Sequence, residues 1–95
     1  MFDQAKMVMQ AKKLQKELSK MIIEVSAGDD AVVVQITGEQ KIKNIRIDPE
    51  AVDLDDIGQL ERWTEEAVKS AIAKSQEVAT EKMKPIMGSL GSLGM

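Results

Sequence analysis

The sequence predicts an α+β fold: a helix, a three-stranded antiparallel meander and a second long helix, in the order α-β-β-β-α. Three observations predict it. Apolar residues recur at helical spacing over residues 3–21 and again over residues 57–84, at about 100° per residue. Between them Val32, Val34 and Ile36 alternate with Val33, Gln35 and Thr37, the two-residue period of a half-buried strand. The clusters Gly28-Asp29-Asp30 and Gly38-Glu39-Gln40 sit at hairpin spacing on either side.

The first helix sorts into two opposite faces. Met7, Ala11, Leu14, Leu18 and Met21 fall on one stripe, in steps of four and three residues, the step of a coiled-coil seam. Lys6, Lys12, Lys13, Lys16 and Lys20 gather on the other side, with only Asp3 and Glu17 as acids in the same stretch. An apolar back and a basic front suggest a dimer that presents positive charge to an anionic partner. The seam spans only about two and a half heptads, too short to hold an isolated helix pair. The apolar face of the second helix and a sheet edge are therefore expected to share the dimer interface.

Ile23 and Val25 mark a short first strand, and Ile45 and Ile47 alternate with Asn44 and Arg46 in the third. Ile42 has the opposite parity to Ile45 and Ile47, so a bulge is expected near Lys43-Asn44. Asp48-Pro49 ends the sheet. Residues 50–56 form an acidic loop, and Asp56 followed by Gln59 has the spacing of a capping box.

Leu60, Trp63, Ala67, Val68, Ala71, Ile72, Val78, Ala79 and Met83 give the second helix a broad apolar face. Trp63 lies on it and is expected to be a packing residue. Pro85 disfavours helical geometry at Lys84 and sets the expected end of the helix. The closing Gly-Ser-Leu repeats, residues 88–95, are expected to be a flexible tail.

Composition narrows the function. A chain of 95 residues makes one small domain with a limited core. It has no cysteine, so neither a disulfide nor a thiolate zinc site can brace it, and oligomerisation is the remaining common way to add core. Phe2 and Trp63 are its only aromatics. No stretch is long and apolar enough for a membrane span, and the N-terminus lacks a secretory signal, so a soluble cytoplasmic protein is expected.

Without His, Cys or Tyr the usual general base and activated nucleophile are missing, which argues against an enzyme. Asp53-Leu54-Asp55 followed by Gly58 opens like a calcium loop, but Ile57 and Thr64 stand where two ligands belong. No metal, cofactor or small-molecule substrate is expected. The acids are better explained as favourable charges near a helix N-terminus.

The formal net charge is −3, yet its distribution is polarised. Five lysines in the first 20 residues face a run of acids at Asp48, Glu50, Asp53, Asp55 and Asp56. The second helix mixes its charges: Glu65, Glu66, Lys69, Lys74, Glu77, Glu81 and Lys82. The basic face of the first helix is thus the candidate for nucleic acid. With two arginines and two aromatics the chain has few guanine readers and no base-stacking platform. What remains is Lys-to-phosphate contact, which positions a protein without reading sequence. Whether Lys41, Lys43 and Arg46 of the third strand join this surface is left open by the bulge.

The helix Met7–Leu18, the strand and turn Val32–Gly38, the step Ile45-Arg46-Ile47-Asp48-Pro49, and a closing helix with Ala67, Ala71 and Lys82-Met83 together resemble the YbaB/EbfC family of bacterial nucleoid-associated proteins. The likeness covers nearly the whole chain, as a single domain over residues 1–87. One departure is Ala31, where the family often has glycine before the second strand. The resemblance implies a homodimer shaped like tweezers that binds double-stranded DNA with little sequence preference in the nucleoid. It also implies that the terminal helices meet DNA, here Lys6, Lys12, Lys13, Lys16 and Lys20, and with them Lys82 and Lys84. The rival reading is a dimeric protein-interaction adaptor that uses the seam, the methionines and the tail. An RNA binder finds no 2′-hydroxyl reader or stacking aromatics in its favour.

Overall fold

The computed structural model describes the backbone of residues 2–93 and the side chains of residues 4–85. Five elements follow in order: α1 (Phe2–Lys20), β1 (Ile22–Ala27), β2 (Val32–Thr37), β3 (Ile42–Ile47) and α2 (Ile57–Leu93). The sheet is an antiparallel meander with β2 in the centre. The expected α+β order is therefore the observed one.

The bulge falls where the parity of the isoleucines demanded it. Gln35 pairs with Asn44 but Ile36 pairs with Ile42, which leaves Lys43 as the extra residue. Ile42, Ile45 and Ile47 thereby stand opposite Ile36, Val34 and Val32, on one face of the sheet.

That face carries the core. Val32, Val34 and Ile36 are fully buried against Ala67 and Ala71 of α2, with Ala27, Ile23, Val25, Leu60, Trp63 and Val68 around them. Small residues on α2 let the helix lie close to the strands. The β1–β2 turn is shaped for the same contact. Gly28, Asp29 and Asp30 all have left-handed backbone, and Ala31 closes the turn by donating its N–H to the Gly28 carbonyl. A Cβ on Gly28 would come within 2.4 Å of the Trp63 ring, so the indole lies directly on the glycine backbone. Trp63 is thus a packing residue, as its place on the apolar stripe suggests.

A second tie joins α2 to the far end of β2. Ser75 is fully buried and its Oγ donates to the Thr37 carbonyl at 2.7 Å. The Thr37 Oγ1 in turn accepts the N–H groups of Glu39 and Lys41, which orders the β2–β3 turn.

The acids of the loop serve its turns. Asp48 accepts the Glu50 N–H, Asp53 accepts the Asp55 N–H, and Asp56 caps α2 by accepting the Gln59 N–H at 3.2 Å. Only half of the expected capping box forms, because the Asp56 N–H goes to the Asp53 carbonyl.

The second helix runs past its expected end. It continues through Pro85 to Leu93, where an end near Lys84 was expected. A proline deletes one backbone bond and crowds the preceding turn, but its fixed φ is itself helical, and the residues after it can stay in register. Gly94 and Met95 lie outside the described residues.

Beyond Ser75, α2 extends past the sheet and packs beside α1. The result is an elongated molecule of 62 × 22 × 15 Å, with a sheet-and-helix body and a two-helix arm.

Candidate nucleic-acid interface

The arm is anchored at one point. The Leu18 side chain is buried, and the Leu18 carbonyl accepts the Gly38 N–H at 2.9 Å. A Cβ on Gly38 would sit 2.8 Å from Leu18 Cδ2, so glycine is what lets the end of α1 close onto β2. Part of the α1 stripe is therefore used inside the protomer. Leu18 packs there, and Leu14 is half-buried in a shallow groove it shares with Gln10, Lys13, Glu17 and Lys82. Met7 and Met21 are also half-buried, whereas Ala11 is exposed.

With the apolar side of α1 turned inward, its lysines turn out. Lys6, Lys12, Lys13, Lys16 and Lys20 are all exposed. Among the described residues the ion pairs are Arg46–Glu24 and Lys69–Glu65, so none of the five is held by a carboxylate. Lys12 and Lys16 line a shallow concavity with Gln15, Ser19 and Glu39, which brings one acid near the base of the face. The structure also brings Lys82 of α2 to the same groove as Lys13, so one of the two C-terminal lysines joins the basic surface of α1. Lys84 is exposed on the same helix.

The third strand contributes differently. Arg46 lies on the sheet face away from α2, 4.0 Å from Glu24, in an open concavity lined also by Asp30, Val33, Ile47, Asp48 and Pro49. That hollow mixes one cation with three carboxylates and is a poor phosphate site. Among the described residues no group of three or more His, Cys, Asp or Glu is placed to hold a metal, and no helix is long and apolar enough to cross a membrane. The mixed charges of α2 pair along the helix. Lys69 donates to Glu65 at 2.6 Å, and that hydrogen bond, with the charge behind it, lowers the Glu65 pKa and raises that of Lys69. Both groups are solvent-exposed, where such a pair adds little.

The sequence pattern anticipated a sheet edge in the interface but not which residues it exposes. α2 covers β1 and β2 and does not reach β3. Ile42, Ile45 and Ile47 point to the core side of the sheet yet remain 42–44% exposed, because no helix lies over them. The signal was present: a meander puts β3 at an edge, and three isoleucines on one face of an edge strand call for a cover.

Among the described residues, α1 thus presents a basic face without ion pairs, and β3 an apolar row without a cover. The model of the YbaB/EbfC DNA-binding family matches residues 1–90. The chain belongs to this family. It is thus one of a group of bacterial DNA-binding proteins and not an enzyme. A nucleoid-associated protein of Chloroflexus aurantiacus is 38% identical over 84 residues, 88% of this chain and 84% of the relative. Another of Ruminiclostridium cellulolyticum is 41% identical over 88 residues, 93% of this chain and 76% of the relative. The crystal structure of an uncharacterised Helicobacter pylori protein has the same fold, with a TM-score of 0.79 at 16% identity, covering 87% of each chain.

Proposed function

We propose that the protein is a homodimer that binds double-stranded DNA through Lys-to-phosphate contacts, with little sequence preference, and acts in organising the nucleoid or modulating gene expression. The observation that carries this reading is the α1 face itself: five exposed lysines, none in an ion pair among the described residues, on a helix held away from the body. Family membership and the nucleoid-associated relatives support it. Lys82 and Lys84 extend the surface onto α2. The acidic loop at residues 48–56 belongs to the body and must face away from bound DNA.

The dimer interface in this reading combines the β3 row Ile42, Ile45 and Ile47 with what remains available of the α1 stripe, Met7, Ala11, Leu14 and Met21. An edge strand with a half-exposed apolar face is covered in stable proteins. A second copy supplies that cover and adds the core that a small chain lacks. Light scattering at micromolar concentration should give about twice the 10.5 kDa chain mass. Ile45→Lys should shift that mass toward one chain, since it sets a charge in the contact without a partner. A monomeric parent protein would remove the dimer.

Binding is tested by a salt series on duplex DNA. If roughly four to six phosphates are neutralised, log K against log salt should slope at about −4 to −5. The triple variant Lys12→Gln, Lys13→Gln, Lys16→Gln should stay dimeric, bind every duplex more weakly and show a shallower slope. Unchanged binding would retire this surface. No duplex binding by the parent at low salt would favour the adaptor, for which the uncovered β3 row is the available docking face.

A further inference from the structure

Met9 is the anomaly on the basic face. It is 70% exposed, on a helix whose apolar stripe is turned to α2 and β2 on the other side. On a helix, the neighbours of a residue lie three and four positions away. For Met9 these are Ala5, Lys6, Lys12 and Lys13, so three of the four are lysines and none is an acid. At 100° per residue Lys12 stands about 60° to one side of Met9, and Lys6 stands about 60° to the other. Lys13 shares the shoulder with Lys6. In the turns on either side of it, the thioether therefore forms the ridge of the face, with ammonium groups on both slopes. Lys16 and Lys20, each about 20° from Met9, continue that ridge toward the end of the helix.

This cross-section matches a helix laid along the DNA major groove, which is wide enough to admit one. Residues on the ridge point to the groove floor, and residues on the slopes reach the two phosphate walls. In the groove the one apolar group that a base pair presents is the thymine 5-methyl. Resting on the DNA-binding reading above, we propose that α1 enters the major groove with Met9 directed at the base edges, where it packs on thymine methyl groups. Its flexible, unbranched side chain adapts to whichever methyl lies nearest. The contact adds a mild preference for thymine-containing DNA to a binding mode otherwise indifferent to sequence. Lys6 and Lys13 hold one strand, and Lys12 holds the other.

The probe is a pair of duplexes identical in sequence, one with thymine and one with every thymine replaced by uracil, which lacks only the methyl. Burial of about one methyl-sized group per protomer corresponds to roughly twofold to fourfold in affinity. The parent protein should bind the thymine duplex tighter than the uracil duplex by that factor for each contact. Met9→Ala should bind both duplexes alike, at the level of the parent on uracil, and Met9→Leu should restore the difference. The triple lysine variant should weaken binding to both duplexes and keep their ratio. Equal binding of the two duplexes by the parent overturns the proposal while leaving phosphate binding intact. A ratio that persists in Met9→Ala overturns it as well. If Met9→Ala splits the dimer, the residue is a protein contact and the assignment to the groove fails. Binding of neither duplex by the parent at low salt defeats the DNA reading itself and this inference with it.

Discussion

The body and the arm of this molecule are built on opposite principles. In the body, Val32, Val34, Ile36, Ala67, Ala71 and Ser75 are fully buried, and glycine backbone meets an aromatic ring without a side chain between them. In the arm, Leu18 is the one buried residue of α1 with a described side chain, and the lysines stand in solvent. The body holds its shape by close fit and has little room for change. The arm holds its shape by a single docking point and one half-buried stripe, and its outer face is free to carry charge. The difference separates stability from binding: substitutions in one region should spare the property carried by the other.

Gly28→Ala tests the body at its tightest point and should have the largest effect on stability. The new Cβ would meet the Trp63 ring in a left-handed backbone position. Overpacking costs about 1–3 kcal/mol and the backbone a further 1–2 kcal/mol. A fall of about 2–5 kcal/mol in urea unfolding is expected, with the Trp63 emission shifting to the red. A fall under 1 kcal/mol would mean the ring is not seated on the turn. In the parent, Trp63 emission should be blue-shifted and little changed by DNA, because the indole belongs to the body.

Ser75→Ala breaks the tie between α2 and the end of β2. The Thr37 carbonyl keeps the Gln40 N–H as a partner, so the loss is one hydrogen bond and not an orphaned group. About 1 kcal/mol of destabilisation is expected. DNA affinity measured well below the unfolding transition should not change.

The triple lysine variant of α1 should have the smallest effect on stability, within about 0.5 kcal/mol, since Gln is also a good helix former and the positions are exposed. Its effect on DNA binding should be the largest of the three. A variant that lost both stability and binding would show that the arm is less independent of the body than its few buried residues suggest.

Much of the fold was legible because it is written in local period. The alternation of Val32, Val34 and Ile36 gave the central strand, and the parity break between Ile42 and Ile45 gave the bulge at Lys43. The basic face of α1 was equally legible, because five lysines at helical spacing share a face whatever the helix packs against. Lys82 beside Lys13 was not derivable from spacing, since the two are 69 positions apart and meet only because α2 overshoots the sheet.

The sequence alone determined which residues share a face: the core row of β2, the lysine face and stripe of α1, the apolar side of α2. Those relations depend on the geometry of one helix or strand and need no partner. The tertiary structure decided what covers each face. It set α2 over β1 and β2, leaving the isoleucines of β3 bare. It turned the lower part of the α1 stripe onto Gly38 and α2, and it carried α2 through Pro85. An apolar stripe carries no address. Any apolar surface of suitable shape satisfies it, and the choice among them is made by the close approaches at Gly28, Gly38 and Ser75, which exist only once distant segments have met.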